Sequence, residues 1–179
     1  MTPLTEWRDF YVTVGTASGA IVGAAFVVAS LTSGQEKREL GIRGFITPTA
    51  VHLAGVMIAS AVMIVPAPTV LFLSAFFGLG GLAGMAYGGL VIARIRSLTL
   101  DLPDRFWYCC AAPLSYAAMA VSAWAIWTGA WFALPLLAAS LVALLVTGMR
   151  NLWDMATFMI LSAAKPPKEQ LQPHDSIDH

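Results

Sequence analysis

Charged side chains are scarce in this chain. Lys, Arg, Asp and Glu make up 11% of its 179 residues, and ten basic side chains balance ten acidic ones. A water-soluble domain of this length carries roughly twice that share of charge. Cysteine is scarcer still. Cys109 and Cys110 are the only two, and adjacent cysteines rarely meet disulfide geometry. With no second pair at ligand spacing, neither a disulfide framework nor a metal site is expected, and both cysteines read as small apolar residues. The chain also lacks a phosphate-binding loop, a zinc-protease helix motif and a serine nucleophile elbow. No catalytic residue stands out, and no enzyme activity, cofactor or nucleic-acid partner is expected.

What replaces charge is hydrophobicity, at 58% of residues, gathered in runs rather than dispersed in stripes. Crossing a bilayer takes about 20 residues of helix. Five stretches qualify: 10–33, 48–65, 69–93, 106–128 and 131–149. None contains Asp, Glu, Lys or Arg. Their hydrophobicity is continuous, not alternating, which predicts helices and not a β-barrel. The expected fold is therefore an all-α, polytopic membrane bundle of five transmembrane helices. Mixed-sign Glu6, Arg8 and Asp9 before the first run argue against a cleavable signal.

Basic residues predict the threading. With five spans, Lys37, Arg38, Arg43, Arg94, Arg96, Arg105, Arg150, Lys165 and Lys168 fall on one side and Arg8 alone on the other. The positive-inside rule then puts the N-terminus outside and the C-terminus in the cytoplasm, in a multi-pass protein of a bacterial inner membrane. Trp7, Tyr11, Trp124, Trp127 and Trp131 would mark the outer interface, and Phe106, Trp107 and Tyr108 the inner one.

The connections "PAPT" (66–69) and "GA" (129–130) are short, so spans two and three, and four and five, are expected to pack as antiparallel hairpins. After Met149, Asn151 reads as the cap of a separate interfacial helix, 151–163, with Asp154 in capping-box position and paired to Arg150 one turn back, or alternatively to His52 near the same boundary. The remainder, 164–179, is polar and proline-interrupted and reads as a disordered cytoplasmic tail. His174 and His179 belong to that solvated tail.

Glycine is the sharpest pattern. Gly15, Gly19 and Gly23 recur every four residues in the first span. Gly80, Gly84 and Gly88 do so in the third, thickened by Gly81 and Gly89. Small residues at this spacing let helix backbones approach closely. The simplest expectation is that the first span packs on the third; the sharper one is that a glycine surface joins protomers of a homo-oligomer.

His52 is the only histidine outside the tail. Thr47 and Pro48 suit a helix start, and His52 then lies roughly 7 Å inside the second span. Thr49, His52, Val56, Ala59, Ser60 and Met63 share a smaller, more polar face expected to point into the bundle. A charged ring is costly among such neighbours, so a neutral imidazole with one donor and one acceptor is expected. It serves either as a structural tie between helices or, with Thr49 and Ser60, as a pore or gate element.

The segments "DFYVTVGTASGAIVG", "ITPTAVH" and "RNLWDMATF" together resemble a widespread family of small bacterial inner-membrane proteins. The resemblance covers most of the chain. It implies a five-span layout and places Thr47, Pro48, Thr49, His52, Asn151, Trp153, Asp154 and Thr157 in a shared design. It implies no activity. Two functions suit the residues, both with the lipid bilayer as the first partner. One is a homo-oligomeric channel or passive facilitator for a small solute or ion, consistent with spans free of fixed charge. The other is a non-catalytic scaffold or regulatory subunit that binds a membrane-protein partner through a glycine ridge.

Overall fold

The computed structural model describes residues 4–31, 47–95 and 107–163. The predicted loop 34–45, the residues from Arg96 to Phe106 and the tail 164–179 lie outside the described residues. Within them the architecture is all helical. A 3₁₀ turn (Leu4–Trp7) leads into α1 (Arg8–Leu31), followed by α2 (Thr47–Met63), α3 (Val70–Ile95), α4 (Ala112–Thr128) and α5 (Ala133–Ala163). A wide π turn, Trp107–Ala111, leads into α4.

Three helices are long and apolar enough to cross a membrane, over Leu4–Val27, Val70–Ala93 and Ala133–Asp154. Helices α2 and α4 have 17 residues each. That is about 25 Å of helix, at the short end of what a crossing takes. Neither contains Asp, Glu, Lys or Arg.

The last helix departs from expectation. It does not stop at Met149 and restart at Asn151; α5 runs unbroken for 31 residues. A cap needs a break before it, and Met149 and Arg150 supply none. Arg150 and Asp154 instead lie one turn apart on the continuous helix, with Nε and Oδ2 3.7 Å apart. The Asn151 side chain is buried in the helix interior. At about 46 Å, α5 is longer than a hydrocarbon core of about 30 Å.

Helix pairing also differs from what chain proximity suggests. Helices α4 and α5 pack side by side as a hairpin, but α2 and α3 barely touch despite their short link. The close pairs are α1 with α2 and α3 with α4, and α5 joins the two by packing on α2 and α4. The two glycine ridges are therefore not each other's partner. The first meets α2. A Cβ on Gly15 would lie 2.9 Å from Ser60 Cβ, and one on Gly19 3.7 Å from Met57 Sδ. Beside them the Ser18 hydroxyl donates to the Leu53 carbonyl at 2.6 Å, across the helix boundary. The second ridge meets α4, where Gly81, Gly84 and Gly88 lie against Ala120, Tyr116 and Pro113. Gly80, by contrast, faces only the flexible end of Met119 at 3.9 Å.

The middle of the bundle is filled by Tyr11, Leu53, Phe77, Leu137, Leu141 and Leu144, each almost wholly buried. Leu53 lies over Gly148 of α5, where a Cβ would come within 2.8 Å of the leucine branch. At the far end of α4, Gly129 takes a left-handed conformation (φ 71°). Its N–H donates to Ile126 O at 3.2 Å, and that of Ala130 to Ala125 O at 2.9 Å. This pair of bonds is a Schellman closure, and it turns the chain into α5 within a few residues. Trp124, Trp127 and Trp131 around this turn are all exposed, whereas Tyr11, expected with them at one interface, is buried.

Candidate functional site

A single imidazole among apolar helices defines the problem at His52. The small and polar face of α2 is the buried one: Thr49 is 3%, His52 5% and Ser60 1% exposed, while Ile58 and Val65 face outward. A buried imidazole requires a hydrogen-bonding partner. The structure supplies it from α4: His52 Nδ1 and the Tyr116 hydroxyl are 2.9 Å apart. Either atom can hold the shared proton, depending on the ring tautomer. The two rings are tilted by 55° with centroids 5.5 Å apart. Tyr87 of α3 approaches the imidazole edge-on, with centroids 6.3 Å apart.

Glycines make the room for this contact. The Tyr116 ring lies flat against Gly84 of α3, in the space a Cβ would occupy, and its hydroxyl would meet a Cβ on Gly55 of α2 at 3.9 Å. One tyrosine from α4 thus passes between two glycines to reach the histidine, tying three helices. Part of the glycine pattern that reads as backbone packing is in fact a slot for an aromatic ring. Tyr116 and Tyr87 were missed in the sequence reading. The available signal was a tyrosine well inside a membrane run, since a buried phenol needs a partner for its hydroxyl.

Thr49 lies one turn from His52 on the same face and belongs to this cluster. Ser60 does not. It is eight residues on, about 12 Å along the helix. There it faces Gly15, and its hydroxyl has no hydrogen-bond partner. The remaining buried hydroxyls mostly serve their own helices. Ser115, Ser122, Ser140 and Thr147 donate to Ala111, Ala118, Leu137 and Ala143 carbonyls at 2.7–2.8 Å. Such bonds satisfy the hydroxyl locally and leave little polarity for a solute.

A second cluster lies at the other end of α5 from Gly129. The Arg150 guanidinium sits over the Trp107 ring, 5.1 Å from its centroid, and faces Asp154. The expected Arg150–Asp154 pair is present, and Asp154 does not reach His52. Asn151 is buried, with its Oδ1 lacking a hydrogen-bond partner, whereas Trp153 is exposed. Of the inner motif, then, Arg150 and Asp154 act together and Asn151 and Trp153 point elsewhere. Chemically, His52 with two phenols can hold and reorient a proton within a hydrogen bond. Neither phenol is a metal ligand of the usual kind or an activated nucleophile. No known protein family, curated protein or solved structure matches the chain.

Proposed function

We propose that this is a five-span protein of a bacterial inner membrane that works without catalysis, as a scaffold or regulatory subunit for another membrane protein. The family that its Thr-Pro-Thr…His and Asn-x-Trp-Asp segments resemble would share that design. The observation that carries the reading is the state of the candidate lining residues. Thr49, His52 and Ser60 are buried against neighbouring helices, and His52 is engaged with Tyr116. Residues that line a water-filled passage are wetted, so the polar cluster here serves packing. Meanwhile two ridge glycines are unused. Among the described residues no heavy atom lies within 4 Å of a Cβ built on Gly23 or Gly89, so each presents a small-residue surface to which a further helix can dock.

The facilitator reading keeps one specific support. His52 and Tyr116 join helices through a single hydrogen bond, and one bond can open as a gate. In that case a homo-oligomer carries the solute and the present conformation is closed. The two functions separate in one preparation. Affinity-purified protein in mild detergent is expected to bring down one membrane protein in stoichiometric amount, less so after Gly23→Leu. Reconstituted alone, it should leave liposomes tight to common ions and small solutes. Flux that His52→Ala alters would reverse the order of the two readings.

The threading follows from the nine basic residues on one side. A cysteine at position 37 or 96 should be shielded from a membrane-impermeant thiol reagent in intact cells. One at position 67, in the "PAPT" turn, should react. Labelling at position 37 from outside inverts the orientation.

A further inference from the structure

An open groove of about 650 Å³ runs along the seam between α4 and α5. That volume lies within the usual range for small-molecule sites. Its walls are apolar: Leu114 on one side, and Ala139, Val142, Ala143 and Val146 on the other. Ser115 and Thr147 also line it, but both hydroxyls are satisfied by their own helices. Nothing in those walls asks for a polar guest.

The length and ends of the groove select the guest further. From Ala138 to Thr147 it covers about 14 Å of α5 by the helical rise, close to half of a hydrocarbon core of about 30 Å. A transmembrane helix from a second copy would need the full thickness; a single acyl chain needs one leaflet. Phe10 lies at the far end, and Trp107 at the near one. Over that same Trp107 sits the Arg150 guanidinium, with its side chain 39% exposed and one turn beyond Thr147. The apolar slot therefore ends at a cation held at headgroup level. A planar guanidinium has five N–H donors and can serve Asp154 and a phosphate together.

We infer that the α4–α5 groove binds one acyl chain of an anionic phospholipid from the leaflet on the Arg150 side, with the lipid phosphate held by Arg150 above Trp107. The site is independent of whether the protein acts as a subunit or as a facilitator. Native mass spectrometry of the full-length protein in mild detergent tests it, with phosphatidylglycerol and phosphatidylcholine of equal chain length added at equal concentration. One phosphatidylglycerol per protomer should be retained, about tenfold more readily than phosphatidylcholine, because both carry the phosphate but the choline ammonium cancels its charge and opposes the Arg150 guanidinium. Ala143→Phe fills the groove from an exposed position and should reduce retention of both lipids about tenfold. Arg150→Gln should abolish the headgroup preference but keep some chain binding. Asp154→Asn, which removes the competing carboxylate, should sharpen the preference. The two variants that keep Arg150 decide the matter by themselves should Arg150→Gln not fold. Equal retention of the two lipids by the unaltered protein overturns the inference, as does Ala143→Phe holding lipid undiminished. A lipid-free dimer that Ala143→Phe disrupts would assign the groove to a second copy and overturn it as well.

Discussion

Gly81→Leu should be strongly damaging to the bundle, and Gly89→Leu on the same helix nearly harmless. A Cβ at position 81 would come within 2.8 Å of both Ala120 N and Tyr116 O, and 2.9 Å from Ala120 Cβ. Two of those three atoms are backbone and cannot rotate away. Helix α4 must then back off along the seam, and that seam is the most extensive in the molecule. Overpacking a well-filled site costs about 1–3 kcal/mol, occasionally more, and a rigid backbone contact belongs at the upper end. At position 89 an added Cβ meets no heavy atom of the described residues, so the change should stay within about 0.5 kcal/mol. Unfolding midpoints in a denaturing-detergent titration measure the difference. Equal losses at positions 81 and 89 would mean that the ridge packs elsewhere than on α4. A selective loss of partner binding in Gly89→Leu, with stability intact, would mark the outer ridge as the docking surface.

The second large effect is expected at Tyr116. Removing its hydroxyl in Tyr116→Phe keeps the ring in its slot against Gly84 but deprives His52 Nδ1 of its partner. A buried polar atom left without a partner costs about 1–3 kcal/mol. The reciprocal variant, His52→Leu, strands the phenol in the same way. The double variant leaves neither group in need, so its loss should fall well short of the sum. The difference should be about 1 kcal/mol or more of coupling, as for residues in direct contact. Simple additivity, or a neutral Tyr116→Phe, would show that the 2.9 Å approach contributes nothing to stability. If instead Tyr116→Phe folds normally and opens liposomes to ions, the same bond is the gate of the facilitator.

How much of this was legible beforehand depends on how local each feature is. Helix starts at Arg8, Thr47 and Val70 lie within two residues of the expected positions, because apolar runs end where charge, proline or glycine ends them. The buried face of α2 was legible in part for the same reason: Thr49, His52, Val56, Ala59, Ser60 and Met63 recur at helical spacing and are all buried, whereas the burial of Leu53 outside that set was not foreseen. The Arg150–Asp154 pair followed from a separation of four residues. The break before Asn151 did not occur. A capping motif is only a preference, and the run "LLVTGMRNLWDM" has nothing that forces a helix to stop.

The partner of each ridge was not legible at all. Three glycines at fourfold spacing say that something comes close, and they are silent about whether it is a backbone, a tyrosine ring or lipid. Gly84 receives Tyr116, Gly15 receives Ser60 and Gly23 receives nothing among the described residues, although the three read alike along the chain. The sequence by itself determined the helical class of the chain, the approximate limits of its helices and the side of α2 that is buried, because hydrophobicity and helical period act within one segment. Tertiary structure alone decided that α3 leaves its sequence neighbour α2 for α4, and that His52 finds Tyr116 sixty-four residues away. Those choices rest on the fit between two surfaces, and neither surface carries the shape of the other in its own sequence.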